Sequence, residues 1–172
     1  MEQTIDPTLG PVLARTGDER AVLTSFLDFH RAVLLRKLRG LSDADARRRL
    51  VPSATTLLGL VKHLSMVERN WFPTLLAPEP GDVYLTSEED AVASFLLSDE
   101  ESVAGVVEAY ERACTRSREI VASVDLDHVV PHPQLGEVSV RWILVHLIEE
   151  TARHAGHADI LRELTDGECG AL

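Results

Sequence analysis

His146, Glu150, His154 and His157 recur at intervals of four, four and three residues near the end of the chain. At about 100° per residue, these side chains fall within an arc of roughly 80° on one helical face. Ile143, Leu147, Leu161 and Leu164 project on the same side. The spacing thus predicts a helix whose inward stripe carries polar groups. Buried polar groups need partners, so the fold must bring something to this stripe. A divalent metal is one such partner, because side chains at i and i+4 converge in front of a helix.

The segment TTLLGLVKHLSMVERNWF, residues 55–72, supplies a second piece. Its His63 shares a helical face with Leu60, Val67 and Trp71, again an inward position. His63, Glu150 and His154 would form a three-ligand site between two helices, as helical bundles build them. Three protein ligands leave positions open for water or substrate. His146 also shares the stripe, but it lies about 12 Å along the axis from His154 at 1.5 Å per residue, so Glu150 is the better ligand. His157, one turn beyond His154, is the candidate catalytic group over the open position; it also fits a place behind the ligands or a bond to a neighbouring carboxylate. Glu149 points away from Glu150 and is read as solvated or paired with Arg153 or Arg141. Thr56 and Asn70 share the His63 face as capping, core-bonded or pocket groups, and His30 is read as a core residue within reach of a central cavity. His128 and His132 lack ligand spacing.

Four amphipathic segments organise the chain. The first helix begins at Asp18 and closes at Gly40, and the linker GLSDADARRRLVPSAT follows with room for one helical turn. The second begins at Thr55 or Thr56, either able to cap free amides, and ends before Pro78. Residues 78–97 read as a long irregular connection. Ser98 and Glu101 suggest a capping box for the third helix, which runs to about Val124. DLDHVVPHPQLGEV reads as a Pro-interrupted loop, after which Ser139 caps a fourth helix ending near Leu164, before Gly167. The expected fold is all-α, an up-down four-helix bundle with a long connection between helices two and three. Residues 1–17 form an N-terminal arm, 18–167 the metal-binding domain and 168–172 a tail.

With 172 residues, 45% of them apolar, the chain suits one globular domain. Its net charge of −11 argues against nucleic acid, which needs a basic face. Arg47, Arg48 and Arg49 are read as a solvated turn. Two cysteines, Cys114 and Cys169, make no disulfide framework. Neither a signal peptide nor a membrane span is legible, which makes a cytoplasmic protein the expectation. Missing GxSxG, Gly-rich and H-E-x-x-H motifs leave nucleophilic hydrolases, nucleotide binding and ordinary zinc proteases without support. Leu144, Ile148, Ala152 and Ala155 form a second apolar face on the fourth helix. A homodimer, or contact with the long connection or the N-terminal arm of the same chain, would cover it.

A helix-two histidine followed far downstream by E-x-x-x-H resembles the DinB-like superfamily of four-helix metalloproteins. The string RWILVHLIEETARHAGHADILRELTDG is similar to the fourth-helix signature of a DinB-related, mainly actinobacterial family. Glu150 stands where the superfamily usually has a histidine, as in the branch of mycothiol-dependent maleylpyruvate isomerase. The resemblance extends from about Asp18 to Gly167. It implies metal ligands at His63, Glu150 and His154, a zinc ion (nickel, manganese or iron being alternatives) and a small-molecule substrate. It further implies a transferase or isomerase using a low-molecular-weight thiol such as mycothiol or bacillithiol. The isomerase has an additional C-terminal domain, whose substrate contacts are not expected here. A metal-dependent hydrolase that activates water, and a non-catalytic stress-response binding protein, are the other expectations.

Overall fold

The computed structural model describes residues 9–170 apart from residue 86. Part of the N-terminal arm (residues 1–8) and the last two tail residues lie outside the described residues. α1, Gly10–Leu13, is a single turn with a proline at its start, where a missing N–H costs nothing. This turn replaces part of the irregular arm expected there.

α2, Glu19–Arg36, is capped by Asp18, whose carboxylate accepts from the Ala21 amide at 2.8 Å. Its chain leaves through Gly40, which takes the left-handed conformation at φ 77°, as helix exits favour. α3, Asp43–Ala46, is the turn allowed for in the linker, capped by Ser42. The arginines that follow are not merely solvated. Arg47 donates to the carbonyls of Ser98 and Glu101, and Arg48 to that of Thr165 at 2.7 Å, so they tie the linker to distant chain.

α4, Leu57–Arg69, starts at Thr56, which accepts from the Gly59 amide at 3.0 Å. It passes into a π-helical turn, Asn70–Thr74, containing Pro73. Proline has no N–H and its ring crowds the carbonyl four residues back, and a widened turn accommodates both defects. In the following connection the Asn70 amide exchanges two hydrogen bonds with the Leu85 backbone, at 2.8 and 3.0 Å. There α5, Glu88–Ala93, forms where an irregular loop was expected. Ser87 and Asp90 make a full capping box, and Glu88, Glu89 and Asp90 place negative charge in its first turn, which a helix N-terminus favours.

α6, Val103–Ser123, is capped by Ser102. The box expected at Ser98 closes only a turn, with the Ser98 amide donating to Glu101 at 2.7 Å. The loop expected after α6 is instead a hairpin. β1, Val129–His132, pairs antiparallel with β2, Gly136–Ser139, and Val130 faces Val138. Pro131 is tolerated because a two-stranded ribbon leaves one side of each strand unpaired. Gly136, at φ 84°, turns the chain. α7, Val140–Asp166, is capped by Ser139 and ends at Gly167 in the left-handed conformation.

The four long helices α2, α4, α6 and α7 make the expected all-α, DinB-like bundle, with α2 against α7 and α4 against α6 and α7. Leu34, Leu58, Leu64, Phe72, Tyr110, Ile143 and Leu147 fill its core. Within that core Arg31 donates twice to the Glu68 carboxylate, at 2.7 and 2.6 Å, linking α2 to α4. Leu144 and Ala155 of the second apolar face are buried within the single chain, and Ile148 packs against the core. Within the chain it is α2 that packs along α7, where the long connection or the N-terminal arm was expected. Leu164, expected inward, is exposed. No helix among the described residues is long and apolar enough to cross a membrane.

Candidate metal centre

α4 and α7 run antiparallel, so His63 meets Glu150 and His154 while Trp71, eight residues on, meets His146 and Trp142. The ligand-capable atoms of His63, Glu150 and His154 lie within 4.8 Å of one another. His63 Nε2 is 3.4 Å and His154 Nε2 is 3.1 Å from Glu150 Oε1. Ligands about 2.1 Å from a tetrahedral ion stand about 3.4 Å apart. The spacing of the two nitrogens from the oxygen fits such an ion. Both histidines are buried and Glu150 is half-buried.

The connection fixes the proton on His63. Ser94 Oγ donates to the Ala91 carbonyl at 2.6 Å, so the hydroxyl accepts from His63 Nδ1 at 2.7 Å. A neutral His63 therefore turns the lone pair of Nε2 toward Glu150. A lone pair facing a carboxylate oxygen is repulsive unless a cation, metal ion or proton, lies between. Proton sharing with His154 and then His63 holds the Glu150 carboxyl well below the usual carboxylate range, against the opposing effect of burial. A divalent ion satisfies the same need with all three groups as donors, so the residues present fit a metal.

Phe95 lies flat on His63, with ring centroids 4.0 Å apart and planes 12° from parallel. Gly59 makes this approach feasible: a Cβ there would stand 2.6 Å from the Phe95 carbonyl oxygen and 2.9 Å from Thr56 Oγ1. Ser94 and Phe95 escaped the sequence reading, since each sits in a segment without strong periodicity. A glycine inside an apolar helix was the one available signal, because it often marks close backbone approach.

The other candidates are distributed as follows. His157 is exposed and its Nδ1 lies 3.4 Å from Nδ1 of His154, on the ring edge turned away from Glu150. His146 stacks on Trp142 and is tilted against Trp71, with centroids at 5.2 and 4.7 Å; it is not part of the triad. Glu149 pairs with Arg153, and Arg141 with Glu19 and Asp127. Thr56 is a cap, Asn70 holds the connection, and His30 rests against Phe29. His132, set aside on sequence grounds, is buried against Trp71.

A helical bundle with an inward His-Glu-His group from α4 and α7 defines a DinB-like protein. The chain belongs to the mycothiol-S-transferase family, whose model it matches over residues 22–167. No curated protein matches the chain. Among solved structures it is similar to a conserved protein from Enterococcus faecalis, at 15% identity and a TM-score of 0.62. That match covers 88% of this chain and 99% of the other, and at such identity it speaks for the fold alone.

Proposed function

We propose that the protein is a metal-dependent S-transferase that joins a low-molecular-weight thiol of the mycothiol type to an electrophilic small molecule. The observation carrying this reading is the arrangement of His63, Glu150 and His154, with the His63 proton held on Nδ1 by Ser94. His63, Glu150 and His154 would hold the ion, for which zinc suits the mixed nitrogen and oxygen set; nickel, manganese and iron accept the same donors. A bound divalent ion supplies Lewis acidity, which lowers the pKa of a thiol so that the nucleophilic thiolate forms near neutral pH.

The chain's own groups do the positioning. Ser94 keeps His63 in one tautomer, and Phe95 shields the face of its ring. His157 accepts from or donates to His154 Nδ1, which orients that imidazole. On this reading His157 serves as a positioning residue behind His154. In the transfer the thiol loses its proton and a carbon–sulfur bond forms as either the electrophile's π bond or its carbon–leaving-group bond breaks. The proton passes to the adduct or departs with the leaving group.

Co²⁺-substituted protein titrated with mycothiol tests this reading. A change in the ligand-field spectrum that saturates with thiol is expected. Bound Co²⁺ whose spectrum is indifferent to mycothiol would reject the thiol role.

A further inference from the structure

One helical turn along α4 from His63, and one turn along α5 from Ser94, lies a cavity of about 230 Å³. Met66, Val67, Trp71, Tyr84, Asp90 and His132 are among its walls. Trp71 is fixed from several sides. His132 stacks on it at 4.9 Å, Tyr84 meets it edge-on at 5.8 Å, and Trp142 and His146 back it at 5.7 and 4.7 Å.

The hydrogen bonds around this cavity leave the Tyr84 hydroxyl with a donor to offer. The Gln134 and Leu135 amides both donate to His132 Nδ1, each at 3.1 Å. The hydrogen of His132 therefore sits on Nε2, which donates to the Tyr84 hydroxyl oxygen at 3.0 Å. Burial lowers the His132 pKa, with a second contribution from His146, in keeping with a neutral ring. Tyr84 thus accepts through its oxygen, and its own O–H hydrogen has no acceptor among the described residues. Burial also raises the phenol pKa, so the group stays a donor. The polar neighbours are already committed. Asp90 accepts from the amide and hydroxyl of Ser87, and Asn70 is bonded to Leu85.

Aromatic walls with the directed Tyr84 donor, and a carboxylate already engaged by Ser87, select a flat, uncharged ring that carries an acceptor oxygen. We propose that this cavity binds the organic body of the electrophilic substrate as an uncharged ring, with a carbonyl-type oxygen hydrogen-bonded to Tyr84. Its assignment to the substrate rests on the transferase reading above, whereas the binding chemistry stands by itself. Trp71 lies eight residues from His63, about 12 Å along a helix axis, so a small ring compound with a short reactive arm spans the two.

The test compares acetophenone with ethylbenzene, rings of similar size with and without the acceptor, on the full chain. The indole N–H resonances of Trp71 and Trp142 are followed by NMR, with Trp71→Phe for assignment. Acetophenone should shift the Trp71 signal saturably and bind about five- to tenfold more tightly than ethylbenzene, the worth of one neutral hydrogen bond. Tyr84→Phe should bring acetophenone down to the ethylbenzene level and leave ethylbenzene unchanged. Equal affinities in the wild-type protein, no saturable shift of Trp71, or an unchanged acetophenone affinity in Tyr84→Phe would each overturn the proposal. His154→Ala should retain the acetophenone response. If it does while mycothiol leaves the Co²⁺ spectrum of the wild type untouched, the transferase reading fails and the ring site stands.

Discussion

Ser94 accepts a 2.7 Å hydrogen bond from Nδ1 of His63, a contact across thirty-one positions of sequence that sets which nitrogen of the histidine faces Glu150. Partners of this kind behind metal ligands are typically worth 10- to 100-fold in metal affinity. Ser94→Ala should weaken metal binding by about that factor, and Ser94→Thr should restore most of it. Competition against a chromophoric chelator measures both.

Removal of the ligands themselves should separate the stripe into two parts. His154→Ala and Glu150→Ala should lose metal almost completely, whereas His146→Ala should keep it, because His146 faces Trp142 and Trp71. His157→Ala should retain a full complement of metal with reduced affinity and turnover. Elemental analysis after incubation with Zn²⁺ and gel filtration decides the first three, and a thiol-transfer assay the last. Wild-type protein that retains no metal under these conditions would remove the basis of the site.

Gly59→Ala should destabilise the protein by about 1–3 kcal/mol, the usual range for forcing an extra carbon into packed structure. The added methyl would meet a backbone carbonyl at 2.6 Å, which cannot swing aside as a side-chain end would. A urea midpoint unchanged from wild type would contradict the close approach of the connection.

Glu68→Gln leaves Arg31 beside an uncharged amide, with the half-buried Asp28, 2.8 Å from its Nη1, as its remaining carboxylate. The cost should therefore approach but not exceed that of a broken buried pair, about 3–5 kcal/mol. The loss should exceed that of any exposed pair, such as Arg112 with Glu108 on α6. Equilibrium unfolding of the two variants, Glu68→Gln and Glu108→Gln, makes the comparison.

Burial, followed by the negative charge of Glu68, pushes the Cys114 thiol up to about 12. A raised thiol pKa means that the folded state holds its proton more tightly than the unfolded chain does. Stability from this group is complete below the ordinary value of 9.0 and is lost as pH rises toward about 12. At pH 8 iodoacetamide should label the exposed Cys169 and spare the buried Cys114 until denaturant is added, as peptide mass spectrometry would read.

The bundle and the triad were legible because each signal lies within a long helix. Glu150 and His154 share a stripe through simple periodicity, and the apolar company of His63 marks an inward position. Much of what surrounds the triad comes from short elements. α5 is six residues long and looked like an acidic loop. β1 contains Pro131, and Pro133 follows it, which hid the hairpin and with it the burial of His132. Asn70 and Tyr84 depend on contacts between the connection and α4, for which sequence spacing carries no signal. The apolar face of α7 was visible, but periodicity cannot say whether another helix of the same chain or a second copy covers it.

Tyr84, Ser94 and Phe95 all arrive on the single stretch between α4 and α6, whereas the three ligand-capable groups stand on the long helices themselves. On the proposed reading, the reactive centre and part of the recognition wall would be carried on separable pieces of polypeptide. Transplanting a different connection would re-tailor the wall that meets a substrate while the His-Glu-His group keeps its helical footing. Two conditions travel with such a graft: residue 59 must remain glycine, and the incoming segment must offer an acceptor where Ser94 stands. The bundle is in this sense a chassis with a replaceable panel, open to selection or design for new acceptors without rebuilding the centre.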